Sequence, residues 1–186
     1  MWRKSSTERP PWPVAPRPFA DEPLGGWLGR VASAYRVTVA QLWSDAGLTG
    51  MLPQCCAGWL LIAGLRAEDR RRLAALARLD ASVLEAIEPA AAWADNRTRL
   101  SYCFACLVLN PLDVMTPCWK REWLAPQAAR CTVHDRALAS VTAASLYHPQ
   151  HFAQLYRSIM RHHRRAKIRK YGRDAYLLDW QTYSQH

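Results

Sequence analysis

The apolar residues of this chain recur mostly at helical spacing and predict a mainly α-helical protein. One continuous stripe at positions i, i+3, i+4, i+7, i+8 and i+11 consists of Leu24, Trp27, Leu28, Val31, Ala32 and Tyr35. A shorter second helix is expected after a break at Arg36-Val37, because Thr38 and Gln41 have the spacing of a capping box. Two helices joined by so tight a turn form a helix-turn-helix-like pair. If this pair reads DNA, Thr38 and Gln41 are the candidate contacts, although most helical hairpins do not touch DNA.

The segment that follows predicts a buried run and a third helix. The apolar run at 59–62 is expected to enter the core. A helix is expected from about 68 to 79, with acids in its first turn and arginines later, which complements the helix dipole. The arginines at 70–72 are expected to form a solvated face of this helix. Its predicted buried positions are Leu73, Leu76 and Ala77.

Two more helices are predicted farther along the chain. Ser82 and Glu85 have the spacing of a second capping box, which would open a short helix that ends before Pro89. A later helix, which continues into a basic segment, is marked by Phe152, Leu155, Tyr156 and Ile159.

The first 18 residues contain five of the twelve prolines and predict an extended or disordered arm. Its Trp2 and Trp12 either dock on a partner or lie on the arm's own domain. We favour the second interpretation.

Charge is distributed unevenly along the chain. The formal net charge is +10, from 25 basic and 15 acidic residues. A concentration of cations without acids between residues 157 and 173 favours contact with a polyanion, and nucleic acid is the obvious one. The alternative is a solvated tail without a specific role. The candidate nucleic-acid contacts are Arg157, Arg161, Arg164, Arg165, Lys167, Arg169, Lys170 and Arg173.

The strongest chemical signal is a pair of short metal-ligand motifs. Cys103-x-x-Cys106 and Cys131-x-x-His134 each separate two soft ligands by two residues, which is typical of tetrahedral zinc sites. Four ligands leave no open coordination position, so the expected Zn²⁺ ion is structural rather than catalytic. The alternative is four unrelated buried or free side chains. The remaining cysteines are odd in number, include an adjacent pair and form a poor disulfide framework: Cys55, Cys56 and Cys118.

These patterns divide the chain into four expected segments. They are a proline-rich arm at 1–18, a helical helix-turn-helix-like domain at 19–98, a zinc-binding ribbon or finger module at 99–140 and a basic helical segment at 141–186. We find no secretory leader pattern and no run of about eighteen apolar residues. The expected location is therefore a reducing cytoplasm without a membrane partner, where thiols stay free to bind metal.

The order of these elements along the chain is more specific than any one of them. Trp119 and Trp123 are four residues apart and are expected to lie on one side of a helical turn, in a small core beside the metal. The ordered motifs are Asp21-Glu22-Pro23-Leu24 with Trp27-Leu28, Tyr102-Cys103-Phe104-Ala105-Cys106, Trp119 with Trp123, and Cys131-Thr132-Val133-His134. Over approximately residues 17–140 this combination resembles the TniQ family of transposition target-selection proteins, related to the TnsD type. The first Cys-x-x-Cys departs from the family in its Phe104-Ala105 filler.

The resemblance implies a non-enzymatic adaptor. Such proteins help to define an insertion site and pass it to a AAA+ regulator ATPase of the TnsC/TniB type. Some read DNA themselves, and others join an RNA-guided CRISPR effector. Because little chain follows the predicted zinc module, this sequence resembles a short form, which favours dependence on a second target-reading component. A homodimer is left open.

Two other classes of function remain as alternatives. In a stand-alone sequence-specific DNA-binding transcriptional regulator, the helix-turn-helix-like pair would enter the major groove and the zinc would brace it. An enzyme is disfavoured, because no paired carboxylates, nucleophile elbow or phosphate-cradling glycine loop is present. No catalytic residue is predicted. The histidines apart from His134 are expected to crowd a basic or surface helix: His148, His151, His162 and His163.

Overall fold

The computed structural model describes residues 9–48, 58–93, 97–108, 118–144 and 152–172, and it is mainly helical with a small two-stranded sheet. The helices are α1 Leu24–Ala34, α2 Val39–Asp45, α3 Ala67–Ala77, α4 Ala81–Ile87, α5 Phe104–Val108 and α6 Phe152–Tyr171. The strands are β1 Arg99–Tyr102 and β2 Ala139–Thr142, and 3₁₀ turns lie at Trp59–Leu61, Ala91–Trp93 and Arg121–Leu124. The mainly helical class is confirmed, whereas a DNA-reading helix-turn-helix stays a prediction.

Helix α1 is buried on nearly all sides. Its Leu24, Trp27 and Val31 are fully inaccessible, as the apolar stripe predicts. The run at 59–62 is also buried and packs directly on the start of this helix. Gly25 permits this close approach, because a Cβ at this position would lie 2.6 Å from the carbonyl oxygen of Leu60.

The predicted turn and capping box between α1 and α2 are confirmed. Arg36 turns the chain with a left-handed φ of 57°. Thr38 Oγ1 accepts a hydrogen bond from the backbone N–H of Gln41 at 3.0 Å, and Gln41 Oε1 accepts one from the backbone N–H of Thr38 at 2.8 Å. Both bonds satisfy backbone donors that the start of a helix leaves without intrahelical partners.

The arginines of α3 are only partly solvated, which corrects the expectation for residues 70–72. Arg71 is exposed. Arg70 forms a 2.7 Å ion pair with Glu88, and Arg72 donates to the carbonyl oxygen of Ala46 at 2.8 Å. These two side chains therefore attach α3 to the ends of α4 and α2. The predicted buried positions of α3 are confirmed: Leu73, Leu76 and Ala77.

Helix α4 is capped by Asp80, and the predicted capping box of Ser82 and Glu85 is wrong. The Asp80 carboxylate accepts hydrogen bonds from the hydroxyl of Ser82 at 2.7 Å and from its backbone N–H at 2.8 Å. Both bonds lower the pKa of Asp80, and the bond from the hydroxyl has the larger effect. Asp is among the preferred N-cap residues and stands just before the helix, so it takes this role. The helix ends before Pro89, as predicted.

The described part of the proline-rich arm lies on the arm's own protein. The backbone N–H of Trp12 donates to the carbonyl oxygen of Leu76 at 2.7 Å, and its ring centroid lies 6.4 Å from that of Trp27. Trp27 Nε1 in turn donates to the carbonyl oxygen of Pro16 at 2.8 Å. The interpretation favoured for Trp12 therefore agrees with the structure, while Trp2 lies outside the described residues.

One hydrophobic cluster connects the N-terminal helices with the sheet and α6. Leu100 and Val141 face each other across the β1–β2 pair and belong to the same buried cluster as Leu24 of α1. Leu155 and Ile159 of α6 complete the cluster from the C-terminal side. This core crosses the boundary expected at residue 98, although the domain boundaries themselves stay predictions.

Candidate metal centre and basic helix

The first metal-ligand motif, which we call the first knuckle (residues 103–106), begins where β1 ends. Strand β1 pairs antiparallel with β2, with Tyr102 opposite Ala139. Cys103 follows the strand directly, and Cys106 lies in the short helix α5. The change from extended to helical backbone brings both sulfur atoms within 4.8 Å of each other.

The second knuckle (residues 131–134) is part of a tight hairpin. Arg130 and Ala137 form an antiparallel bridge at its base. Asp135 closes the hairpin with a left-handed φ of 43°, and its carboxylate pairs with Arg130 at 2.8 Å. The hairpin thereby brings both of its ligand side chains towards the first knuckle.

The two knuckles bring four ligand atoms within 4.8 Å of one another. His134 Nδ1 lies 3.2 Å from the sulfur of Cys106, 3.7 Å from that of Cys103 and 3.8 Å from that of Cys131. The sulfurs of Cys106 and Cys131 are 3.6 Å apart. Bond lengths of about 2.3 Å to sulfur and 2.0 Å to nitrogen in a tetrahedral site separate the ligand atoms by roughly 3.5–3.8 Å. The mostly buried Cys₃His group can therefore hold one metal ion.

The thiols perturb one another's ionisation. A hydrogen bond from Cys106 is the first cause that lowers the pKa of Cys103 to about 5. The pKa of Cys106 is raised, because its ionisation would break this hydrogen bond and place a second negative charge beside Cys103. Metals bind the thiolate form, and a cation offsets the repulsion between neighbouring thiolates. The donor set therefore fits a soft cation.

The tryptophans between the knuckles belong to the buried core. Trp119 and Trp123 are 1% and 0% exposed, with ring centroids 6.1 Å apart in an edge-on arrangement. The ring centroids of Tyr102 and Trp119 are 6.0 Å apart. The predicted core role is confirmed. The predicted shared helical turn needs correction, because Trp123 lies in the 3₁₀ turn Arg121–Leu124 and Trp119 precedes it.

Helix α6 separates a buried face from a basic one. Leu155 and Ile159 are buried in the core, whereas Lys167 is half-buried and the other described candidates are exposed. Those exposed candidates are Arg157, Arg161, Arg164, Arg165, Arg169 and Lys170. Arg173 lies outside the described residues. Among the described helices, none is both long and apolar enough to span a membrane.

His162 and His163 lie in the basic helix α6, as expected, but His163 is on its buried face. Its side chain is 8% exposed and stacks on Phe104 with ring centroids 3.6 Å apart. The helical period could have revealed this position, because His163 follows Ile159 by four residues and Leu155 by eight. His148 and His151 lie outside the described residues.

Thr38 and Gln41, the candidate base contacts, lie in the turn that opens α2. The oxygen atoms of both side chains accept the capping-box hydrogen bonds. The exposed positions of this short helix include Ser44 and Asp45 but no Lys or Arg. The exposed surface of α2 therefore offers no cation to phosphate.

A cleft of about 740 Å³ lies between the β1–β2 sheet, the first knuckle, residues 136–138 and α6. Arg99 of β1 and Arg136, beside the second knuckle, line it but are absent from the sequence candidates. Both lie outside the acid-free basic run at 157–173 on which the charge argument depends, so charge patterning did not single them out. The cationic lining residues of this basic cleft are Arg99, Arg136, Lys167, Arg169 and Lys170.

Together, the fold and the site define a mainly helical protein in which a Cys₃His group that can hold a metal ion lies beside a basic helix. The TniQ family model matches residues 13–138, most of the chain, and the chain belongs to the TniQ family. This is a non-catalytic family associated with transposition. A comparison with curated proteins finds no match.

Proposed function

We propose that this protein is a non-enzymatic target-selection adaptor of transposition. It links target DNA, directly or through an RNA-guided CRISPR effector, to a AAA+ regulator ATPase of the TnsC/TniB type. The observation that carries the proposal is the TniQ match over residues 13–138, which includes α1, the capped turn and both knuckles. The cytoplasm, whose reducing conditions keep the four ligands available, is the proposed location.

We propose that the metal is a single structural Zn²⁺ held by Cys103, Cys106, Cys131 and His134. Three thiolates and one imidazole are a common tetrahedral zinc donor set. The separations of the four ligand atoms, all below 4.8 Å, support this assignment. Four protein ligands close the coordination shell, so the ion would join the two knuckles and would not activate water.

The exposed arginines of α6 are the proposed contacts to DNA phosphate. Guanidinium groups such as those of Arg161, Arg164 and Arg165 neutralise phosphates and give affinity without sequence information. This division of labour suits an adaptor whose target sequence is chosen by a second component. A stand-alone sequence-specific regulator is the weaker candidate, since the exposed surface of α2 carries no cation.

The adaptor function is tested by affinity capture of the tagged protein from its native lysate, with and without nuclease, followed by mass spectrometry. We expect recovery of a AAA+ ATPase in both samples, because the proposed contact with the ATPase is a protein–protein one. A variant with Arg161, Arg164 and Arg165 replaced by glutamine serves as the matched control for charge. It should retain the ATPase and lose co-purifying nucleic acid.

Two outcomes contradict the adaptor function. One is capture of only nuclease-sensitive nucleic-acid complexes, which would shift the assignment to a stand-alone DNA-binding regulator. The other is an ATPase that disappears with the triple glutamine variant, because this result would attribute its capture to charge or to bridging nucleic acid.

A further inference from the structure

We infer that the metal module itself binds nucleic acid: the backbone of one strand lies in the basic cleft between the first knuckle, residues 136–138, the β1–β2 sheet and α6. This inference rests on the proposed phosphate contacts of α6 and extends them. It adds Arg99 and Arg136, on the opposite wall of the cleft, as phosphate contacts.

The first support is the composition of the cleft. Its described lining contains five Lys or Arg residues and no Asp or Glu. The nearest acid in sequence, Asp135, is paired with Arg130 at 2.8 Å. A concave surface with charges of one sign concentrates the field and attracts a polyanion.

The second support is the continuity of the cleft with a neighbouring hollow. His162 and Arg169 line both depressions, so these adjoin each other along α6. From Ser158 to Lys170 the helix rises about 18 Å, which corresponds to roughly five phosphates of one strand at 3.4 Å spacing. A surface of this length suits a strand better than a single phosphate group. The residues that line the neighbouring hollow are Ser158, Arg161, His162, Arg165, Ile168 and Arg169.

The third support is the fixed position of the wall opposite α6. Arg99 Nε and Nη2 donate to Ser140 Oγ at 2.9 and 2.7 Å, across the β1–β2 pair. A guanidinium group that is already held in place loses less entropy when it binds a ligand. Arg136 follows His134 by two residues, so the hairpin that carries two metal ligands also positions a cation of the cleft.

The test measures binding of fluorescently labelled single-stranded and duplex oligonucleotides to the full metal-loaded chain by anisotropy, at several salt concentrations. We expect Arg136→Gln to reduce the salt slope by about 0.7 for the single strand and 0.9 for the duplex, as for one lost phosphate contact. When the salt concentration rises from about 50 to 200 mM, the affinity of this variant should therefore fall roughly threefold less than that of the wild type. The two probes distinguish a free strand from one strand of a duplex.

Two variants serve as controls for charge and position. Arg71→Gln removes an equivalent exposed charge from α3, which does not line the cleft, and should leave the salt slope unchanged. Arg165→Gln removes a lining residue of the neighbouring hollow and reports on the proposed contacts of α6. Arg99→Gln is included if its melting temperature and metal content match those of the wild type. Arg136 is exposed, so Arg136→Gln keeps the test valid even if Arg99→Gln does not fold.

The outcomes separate this inference from the proposed function. If Arg165→Gln weakens binding and Arg136→Gln does not, α6 binds nucleic acid but the cleft does not. If neither variant changes binding, the phosphate contacts of α6 fail as well. Displacement of the oligonucleotide by polyglutamate of equal charge and length, at equal concentration, would also overturn the inference. It would show a surface for any polyanion rather than for a nucleic-acid backbone.

Discussion

His163 of α6 stacks face to face on Phe104, with ring centroids 3.6 Å apart and ring planes 3° apart. Phe104 follows the metal-ligand candidate Cys103 directly. The Nδ1 atom of His163 also lies 3.5 Å from the hydroxyl of Tyr102, whose pKa is raised by burial. The basic helix is therefore packed on the residues that flank the first metal ligand, and we expect helix and metal centre to lose stability together.

Replacement of His163 by alanine should lower the free energy of unfolding by about 2 kcal/mol, from lost aromatic stacking and lost burial. His163→Phe retains a ring to stack on Phe104 and should recover most of the loss. His162→Ala is the neighbouring control. It removes a half-buried contact to Ser140 and should cost about 1 kcal/mol or less. Urea denaturation gives the free energy of unfolding of all three variants. A His163→Ala protein as stable as the wild type would contradict the expected role of the stack.

Cys131→Ser should remove the metal and destabilise the protein by several kcal/mol. Structural zinc contributes about 10–16 kcal/mol to the folding of isolated finger peptides. The loss expected here is only part of that amount, because the hydrophobic core of this protein still folds without the metal. Cys118→Ser is the control, because this buried cysteine lies outside the Cys₃His group. Elemental analysis gives the metal-to-protein ratio, and thermal melting gives the stability. A metal-free Cys131→Ser protein with wild-type stability would exclude a structural role for the ion.

Acidification should release the metal, because bound cysteine and histidine ligands must be deprotonated. In the metal-free protein, the lowered pKa of Cys103 makes its thiolate stabilising above the unfolded pKa of 9.0. That contribution decreases below pH 9.0 and is lost as the pH falls through about 5. Metal content measured after equilibration from pH 9.0 to below pH 5 should decrease at the acid end, and metal retention independent of pH would contradict thiolate ligation.

Gly25→Ala should destabilise the protein by about 1–3 kcal/mol or more, because the added methyl group overpacks a fixed contact. Its Cβ would lie 2.6 Å from the carbonyl oxygen of Leu60, and the carbonyl of Trp59 is closer still. Gly26→Ala is the matched control in the same helix. Its Cβ would be 3.3 Å from the Cγ atom of Glu22 and 3.4 Å from the ring of Pro23, so a shift of a few tenths of an ångström accommodates it. Equal melting temperatures for the two variants would show that α1 does not pack on the 59–61 turn as described.

Arg30→Met should cost about 3–5 kcal/mol, because it leaves the fully buried carboxylate of Glu22 without its ionic partner. Arg30 donates to both carboxylate oxygens, at 2.8 and 2.7 Å. The double variant Glu22→Gln with Arg30→Met should recover part of this cost, because no charge is then buried. Arg130→Gln breaks an exposed pair with Asp135 and should cost at most about 1 kcal/mol. Chemical denaturation of the four proteins tests this order, and equal costs for the buried and exposed pairs would contradict it.

Local patterns predicted much of the secondary structure and all members of the Cys₃His group. The stripe of α1, the Thr38–Gln41 capping box and the spacing of the cysteines involve neighbours within a few residues, so they can be read from the sequence alone. The capping box assigned to Ser82 failed for a local reason too. Two residues suitable for the N-cap stand close together there, and the geometry selects Asp80.

The amino-acid sequence by itself determined the helical class, the family and the candidate metal ligands, since each depends on residue type and short spacing. Tertiary structure alone decided that His163 stacks on Phe104, that Arg30 neutralises Glu22, and that Arg99 and Arg136 face α6 across one cleft. Arg30 and Glu22 are close together in the chain, whereas the other residues named here join segments that are distant in the chain. Their contacts arise only when burial of a shared core brings β1, the second knuckle and α6 together.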